Sequence, residues 1–333
     1  MTPRYDNPRA FGIGETPLLH VPDLFNAKLY LKLESANPFG SIKDRTAFFI
    51  LRDLQQTGQL DDGARIVEST SGNLGIAFCH LLKDSGVIFT CLIDETISKE
   101  KRAALHALGA DTTLVALGES VDYREARMRR AAAIQSETGA VWTNQYDNDS
   151  NVFVHRDMTA EEIWRQTKGQ VGVVVAPVGT GGTVCGLAAG LKAYSPDIIV
   201  VGVEPHGSTV FGGEHGNYLS IGWGLAGQSG IIRRWGGAID YFAKVDDAET
   251  LTVARWATES LEPSIGLTGC GVIAAATAAI THFPDRNVVA VIPDNAEKYH
   301  SVLAEAVFDR EVIPIEFREA SEWKRKYDIA ATL

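Results

Sequence analysis

The sequence predicts an α/β protein of two three-layer units, each a mostly parallel, twisted sheet covered by helices on both faces. Three observations predict it. Short apolar runs alternate with helix-length stretches along the chain, the pattern of strands joined through crossover helices. At 333 residues the chain is too long for one ordinary core and fits two. Several apolar runs stop at glycine-rich or Ser/Thr-rich turns that open a helix, where outward-pointing backbone amides and the helix dipole favour an anion.

In chain order, strands are predicted at 29–34 (LYLKLE), 64–70 (ARIVEST), 87–94 (VIFTCLID), 111–117 (DTTLVAL), 140–144 (AVWTN), 171–179 (VGVVVAPVG), 198–205 (IIVVGVEP) and 287–293 (NVVAVIP). Helices are predicted between them at 44–56, 74–83, 98–108 and 123–137. A polar stretch at 144–151 (NQYDNDSN) reads as a link between the two units. Ligands in such folds sit at the carboxyl ends of the strands.

Composition narrows the function. Apolar residues make up 45% and charged residues 22%, the balance of a globular protein. A net charge of −11 argues against nucleic acid as a partner, because that affinity comes from Lys and Arg neutralising phosphates. Cys79, Cys91, Cys185 and Cys270 lie far apart with no CxxC spacing, so buried free thiols are expected and no metal site. No run approaches the ~20 apolar residues of a membrane span, and the start lacks the apolar core of a signal peptide. A cytoplasmic protein without a membrane partner is expected.

Three motifs carry chemistry. In 34–47 (ESANPFGSIKDRTA) Lys43 follows a turn near a helix start; a buried amine there, partly neutral, can form a Schiff base with an aldehyde cofactor. In 67–78 (VESTSGNLGIAF) Ser69, Thr70, Ser71, Gly72 and Asn73 place hydroxyls, an amide and exposed backbone N–H groups where they can grip a carboxylate or a ring oxygen. In 176–192 (APVGTGGTVCGLAAGLK) Gly179, Thr180, Gly181, Gly182 and Thr183 form a phosphate cradle without a Walker lysine or GxGxxG spacing. A lysine, a carboxylate grip and a phosphate cradle together describe one cofactor with its substrate.

These residues resemble the second fold type of pyridoxal phosphate enzymes, whose architecture is that of the tryptophan synthase β-subunit, and within it the cysteine synthase and cystathionine β-synthase group. The resemblance also covers 12–18 (GIGETPL), 98–110 (SKEKRAALHALGA), 144–148 (NQYDN), 202–208 (GVEPHGS) and 265–271 (IGLTGCG). It implies a pyridoxal 5'-phosphate cofactor on Lys43, its phosphate on Gly179 to Thr183, and Asn73 at the ring oxygen. It further implies a substrate carboxylate held by Thr70, Ser71 and Gly72 beside Gln145, and Thr268 at the pyridine nitrogen. A hydroxyl there leaves the nitrogen largely unprotonated, which suits β-elimination over transamination. Asp294 challenges that reading if it reaches the ring.

The implied activity is β-replacement on an O-activated L-serine through an aminoacrylate, with a smaller mobile unit over 46–150 closing on a larger one formed by 1–45 and 151–333. A homodimer acting on small amino-acid substrates is implied as well. The sequence departs from the group at Leu74, where TSGNTG commonly has a threonine; SGNLG is more similar to the branch that joins O-phosphoserine to an amino acid such as glutamate, giving precursors of 2,3-diaminopropionate. A phosphorylated substrate needs added positive charge, for which Arg233, Arg234 and 212–218 are candidates by type. The basic stretch 123–130 (YREARMRR) reads as a solvated face, and His206 and His215 as surface or capping residues. A rival of another class is a catalytically silent homologue that binds a partner or senses a metabolite, and a serine or threonine deaminase is the enzyme runner-up.

Overall fold

The computed structural model describes residues 4–21, 28–70, 72–120, 122–219, 222–262, 264–305 and 313–329. Among these residues the strands are β1 Leu18–His20, β2 Leu29–Leu33, β3 Arg65–Ser69, β4 Ile88–Ile93, β5 Asp111–Leu114, β6 Val141–Trp142, β7 Val171–Pro177, β8 Ile199–Pro205, β9 Tyr241–Val245, β10 Asn287–Ile292 and β11 Glu316–Glu319. The helices that position the site are α1 Lys43–Gln56, α2 Asn73–Leu81, α3 Lys99–Ala107, α4 Tyr123–Thr138, α5 Ser150–Val154, α6 Ala160–Gln166, α7 Gly182–Tyr194, α8 Gly230–Trp235, α9 Asp247–Ser260 and α10 Leu267–His282. Each predicted strand and helix appears, with ends trimmed by a few residues. β1, β9 and β11 are added; β1 and β11 are the antiparallel edges of the larger sheet.

The larger sheet runs β1-β2-β10-β7-β8-β9-β11, parallel from β2 to β9, and the smaller runs β5-β4-β3-β6, parallel throughout. The continuous β-branched run of β7 has a simple cause: Val173 and Val175 enter one core with α10, while Val174 and Ala176 enter another with α7. A strand buried on both faces has no polar alternation to show. Each of these valines contributes about 1.5–3 kcal/mol by leaving water. A third core joins α1 and α2 to the smaller sheet through Phe48, Ile66, Phe78 and Phe89, with Tyr5 and Ile13 packed into it. The four cysteines form no disulfide; Cys91, Cys185 and Cys270 are buried and Cys79 is half-buried.

Immediately after Lys43, α1 is anchored by a buried ionic cluster. Arg45 pairs with Glu34 at 2.6 Å and with Glu162 at 2.7 Å, and Lys32 pairs with Glu162 at 2.6 Å. Burial pushes the Glu162 carboxyl up, but hydrogen bonds and charge from Arg45, with help from Lys32, outweigh it and hold it at about 2. Its stabilisation is therefore complete above the ordinary value of 4.5 and disappears as pH falls toward 2. A Glu162→Gln protein should lose about 3–5 kcal/mol at neutral pH, because buried Lys32 loses its paired carboxylate and Arg45 loses one of its two. Urea unfolding checks this, and the gap to wild type should shrink as pH approaches 2.

Candidate active site

The strands β3, β7 and β10 all deliver their carboxyl ends to one region, and the turn before α1 joins them there. Residue 42 is bound to the end of β10 by its N–H, which donates to the Pro293 carbonyl at 2.9 Å, and Ser41 bridges Asp294. Asp44 accepts from the Phe39 N–H at 2.7 Å and tightens the turn. Lys43, held between these anchors and the Arg45 cluster, projects into the site. Burial pushes its amine down to about 8, against the opposing charges of Asp294 and Glu68. Uptake of an aldehyde needs the neutral amine. The rate at which cofactor-free protein captures pyridoxal phosphate should therefore climb through about pH 8 and level off above it, as stopped-flow absorbance would show; a rate flat from pH 6 to 9 would contradict this.

At the end of β7 the chain passes through Gly179 to Thr183 into α7. Gly181 has φ +91, and a β-carbon there would meet Ile232 at 2.6 Å, so only glycine fits this turn. Thr180 is fixed by Asn151, whose Nδ2 donates to its Oγ1 at 2.9 Å, and by Ser229, whose Oγ donates to its carbonyl at 2.6 Å. The Thr183 hydroxyl meets His155 Nε2 at 3.3 Å, and His155 Nδ1 meets the Thr159 hydroxyl at 2.9 Å. Burial holds His155 well below its ordinary value, so it is a neutral orienting partner.

At the end of β3, the Thr70 hydroxyl accepts from the N–H groups of Gly72 and Gly75 at 3.1 and 3.4 Å, which shapes the turn into α2. The helix opens at Asn73. Ser71 lies outside the described residues. Ser69 is buried behind the cleft wall, bonded to two residues that border it: its carbonyl accepts from Gln145 Nε2 at 2.8 Å, and its hydroxyl accepts from Arg127 Nε at 3.2 Å. Gln145 borders the cleft. Beneath both, Glu68 accepts from the Thr143 hydroxyl and the Gln145 N–H, and burial pushes its carboxyl up to about 7 against those bonds.

Lys43, Asn73, Gly179, Thr180, Gly181, Thr183, Thr268 and Asp294 border a single inner hollow. Thr268 and Asp294 thus both reach it. Asp294 Oδ2 accepts from Asn73 Nδ2 at 2.8 Å and from the Tyr299 hydroxyl at 2.9 Å, and Tyr299 also hydrogen-bonds Thr268. Asn73 Oδ1, Asp294 Oδ1 and Trp223 Nε1 are buried with no hydrogen-bond partner among the described residues. Orphaned polar groups round a hollow mark a place built for a polar ligand. An amine, a glycine cradle and orphaned polar groups around one hollow fit pyridoxal phosphate.

An outer cleft opens from this hollow, bounded by Thr70, Leu74, Gln145, His215 and Tyr218. Leu74 is 1% exposed, a core residue of the smaller sheet whose edge reaches the cleft. The expected solvated face of α4 needs correction: Arg129 and Arg130 are exposed, but Tyr123, Arg124 and Arg127 border the cleft. Helical spacing of three and four residues puts these on one face. Arg127 pairs with Asp94, and Arg124 Nη2 donates to the Ala226 carbonyl at 2.8 Å while its Nε pairs with Asp122 at 3.7 Å. Arg233 and Arg234 lie elsewhere; Arg234 binds Asp147 and Asp149 on the exterior, so charge type alone pointed to the wrong helix. His206 is half-buried, and the exposed His215 sits on the cleft wall. Asn151, His155, Lys101 and the α4 arginines were missed by sequence reasoning. Only the last carried a visible signal, their charge.

Comparison with known proteins agrees with this geometry. The profile of the family described as "Pyridoxal-phosphate dependent enzyme" matches residues 10–294. A cystathionine beta-synthase of Apis mellifera is 34% identical over 300 residues, covering 86% of this chain and 59% of that protein; the chain thus spans well under two thirds of that relative. A cysteine synthase of Staphylococcus aureus is 32% identical over 297 residues, covering 87% of this chain and 94% of the other. Among solved structures, an O-acetylserine dependent cystathionine beta-synthase from Helicobacter pylori superposes with TM-score 0.82 at 26% identity, covering 89% of this chain and 97% of that one. The chain belongs to the pyridoxal-phosphate dependent enzymes of the second fold type, and within them to the cysteine synthase group. Its cofactor is pyridoxal phosphate. No helix among the described residues is long and apolar enough to cross a membrane.

Proposed function

We propose that this enzyme replaces the β-substituent of an O-activated L-serine, O-acetylserine or O-phosphoserine, with a second nucleophile. The observation that carries this reading is the meeting of the Lys43 amine, the glycine cradle and the Thr70 to Asn73 turn around one hollow that opens into a cleft. Pyridoxal phosphate supplies the electron sink that makes the substrate α-proton removable. Lys43 would hold it in the resting enzyme, the amides and hydroxyls of Gly179 to Thr183 would receive its phosphate, Asn73 would hydrogen-bond its ring hydroxyl, and Thr268 would serve its pyridine nitrogen; Asp294 would act through Asn73 and Tyr299.

When substrate enters, Thr70, Ser71 and Gly72 grip its carboxylate, with Gln145 beside them. Lys43, whose burial lowers its amine to about 8 and so leaves part of it neutral at Nζ, would take the α-proton in that neutral form. Closure of residues 46–150 over 1–45 and 151–333 would exclude water and protect the reactive state from hydrolysis. We assign the chain a homodimeric assembly, tested by light scattering at micromolar concentration.

A second reading takes O-phosphoserine as the electrophile and an amino acid nitrogen, such as that of glutamate, as the nucleophile, giving a 2,3-diaminopropionate precursor. Two features favour it: Arg124 and Arg127 on the cleft wall, and the SGNLG turn. One experiment separates the readings. O-acetylserine and O-phosphoserine are each mixed with the enzyme while the cofactor spectrum is followed, and sulfide, cysteine, homocysteine and glutamate are then offered. If neither activated serine moves the spectrum, the substrate class is wrong. Arg124→Ala should raise the KM for O-phosphoserine roughly tenfold and leave that for O-acetylserine unchanged if the second reading holds.

A further inference from the structure

We infer that Lys101 is a second substrate-holding lysine, a cation that backs the Thr70 to Asn73 turn and holds the carboxylate of the amino-acid substrate there. The inference rests on the reading of that turn as the carboxylate grip and adds a residue to it.

Lys101 sits in the first turn of α3 and is 2% exposed. Its place is fixed from both sides. Ser98 caps the helix by accepting from the Lys101 N–H at 3.3 Å, and the Ser98 hydroxyl donates to the Lys298 carbonyl at 3.1 Å. Glu100 accepts from the Ser301 N–H and hydroxyl, both at 2.8 Å, so this helix end is tied to the segment carrying Tyr299. The Lys101 methylenes run along the back of the turn: a β-carbon on Gly72 would lie 2.8 Å from Lys101 Cδ and 3.0 Å from its Cβ, so glycine is needed to admit the stem. The ammonium rests over the face of Tyr299 at 4.4 Å from the ring centre, a contact that steadies a buried cation. Lys101 borders the outer cleft together with Lys43, Thr70 and Asn73.

The electrostatics of the site call for such a cation. The turn itself offers only neutral hydroxyl, amide and backbone donors. The Asp294 carboxylate is already buried beside it, bonded to Asn73. A second, from the substrate, meets repulsion in a place of low polarity unless positive charge lies close. The other cations nearby are engaged: Arg127 with Asp94 and Ser69, Arg124 with the Ala226 carbonyl at 2.8 Å and Asp122 at 3.7 Å, Lys298 with the Gly40 carbonyl at 2.8 Å, and Lys43 with the chemistry. Burial pushes the Lys101 amine down, and the charge of Asp294 opposes that fall. Such a cation also explains how the turn tolerates Leu74, since charge replaces the hydroxyl donor lost there.

The test uses the cofactor-loaded enzyme and the visible absorption change on adding L-alanine, which has a carboxylate but no leaving group, or ethylamine, which has neither. Lys101→Gln should weaken L-alanine binding roughly tenfold or more and leave ethylamine binding unchanged, while Lys101→Arg keeps most of the affinity. Equal L-alanine affinity in wild type and Lys101→Gln overturns the inference while leaving the proposed reaction standing. A wild-type spectrum unmoved by L-alanine overturns the carboxylate reading of the turn and the inference with it. Should Lys101→Gln not fold, wild type alone decides: L-alaninamide, which lacks the charge, must bind more weakly than L-alanine, and equal binding refutes the role.

Discussion

A Lys43→Ala enzyme should be colourless in the visible region and lose turnover by at least roughly 10²–10⁴-fold, the usual contribution of a positioned base, with the lost covalent anchor added. It should still fold. The Lys43 side chain carries none of the hydrogen bonds that hold its turn, which run through Ser41, residue 42 and Asp44. Removing a buried amine also relieves a desolvation cost, so thermal unfolding of the cofactor-free protein should stay level or rise slightly. Absorbance, single-turnover kinetics and a melting curve check all three parts. A coloured variant that keeps turnover would mean that another amine, Lys101 being the nearest in kind, bears the cofactor. A wild type that never takes up cofactor would favour the silent binding homologue.

The second large effect is expected at a residue with no chemistry of its own. Asn151 is fully buried and joins three parts of the site: Nδ2 donates to the Gln145 carbonyl and to Thr180 Oγ1, both at 2.9 Å, and Oδ1 accepts from the Thr46 hydroxyl at 3.0 Å. It therefore couples the helix that carries Lys43, the loop that carries Gln145 and the phosphate cradle. Asn151→Ala strands three buried polar groups at about 1–3 kcal/mol each, so a stability loss of roughly 3–9 kcal/mol is expected. Cofactor affinity should fall at least about tenfold, because the cradle loses its brace. Denaturant unfolding and equilibrium dialysis of pyridoxal phosphate measure the two effects. Lost stability with unchanged cofactor affinity would show that Asn151 serves the fold and not the cradle.

Part of this site is legible without coordinates because its chemistry is local. Gly181 is glycine for a backbone reason, Lys43 follows a turn written in five neighbouring residues, and Thr70 bonds amides two and five positions away. Asn151 is illegible for the opposite reason. In sequence it ends a polar stretch that reads as a linker, and its partners lie as far as 105 residues away. The arginines of α4 show how pattern misleads: charge on every side of a helix suggests a solvated surface, yet Arg127 is buried because Asp94 and Ser69 meet it from β3 and the end of β4. β1 and β11 escaped notice because short edge strands with one partner carry little periodic signal.

The sequence by itself determined the alternation of strand and helix, the positions of the three turns proposed to hold ligands and the class of cofactor, since each depends on residues within one turn of chain. Tertiary structure alone decided which cations enter the cleft, which buried carboxylates border the hollow, and how Lys101 comes to lie behind Gly72. Those outcomes are set by desolvation and pairing across distant segments, and such energies exist only once the chain has folded and the dielectric around each charge is fixed.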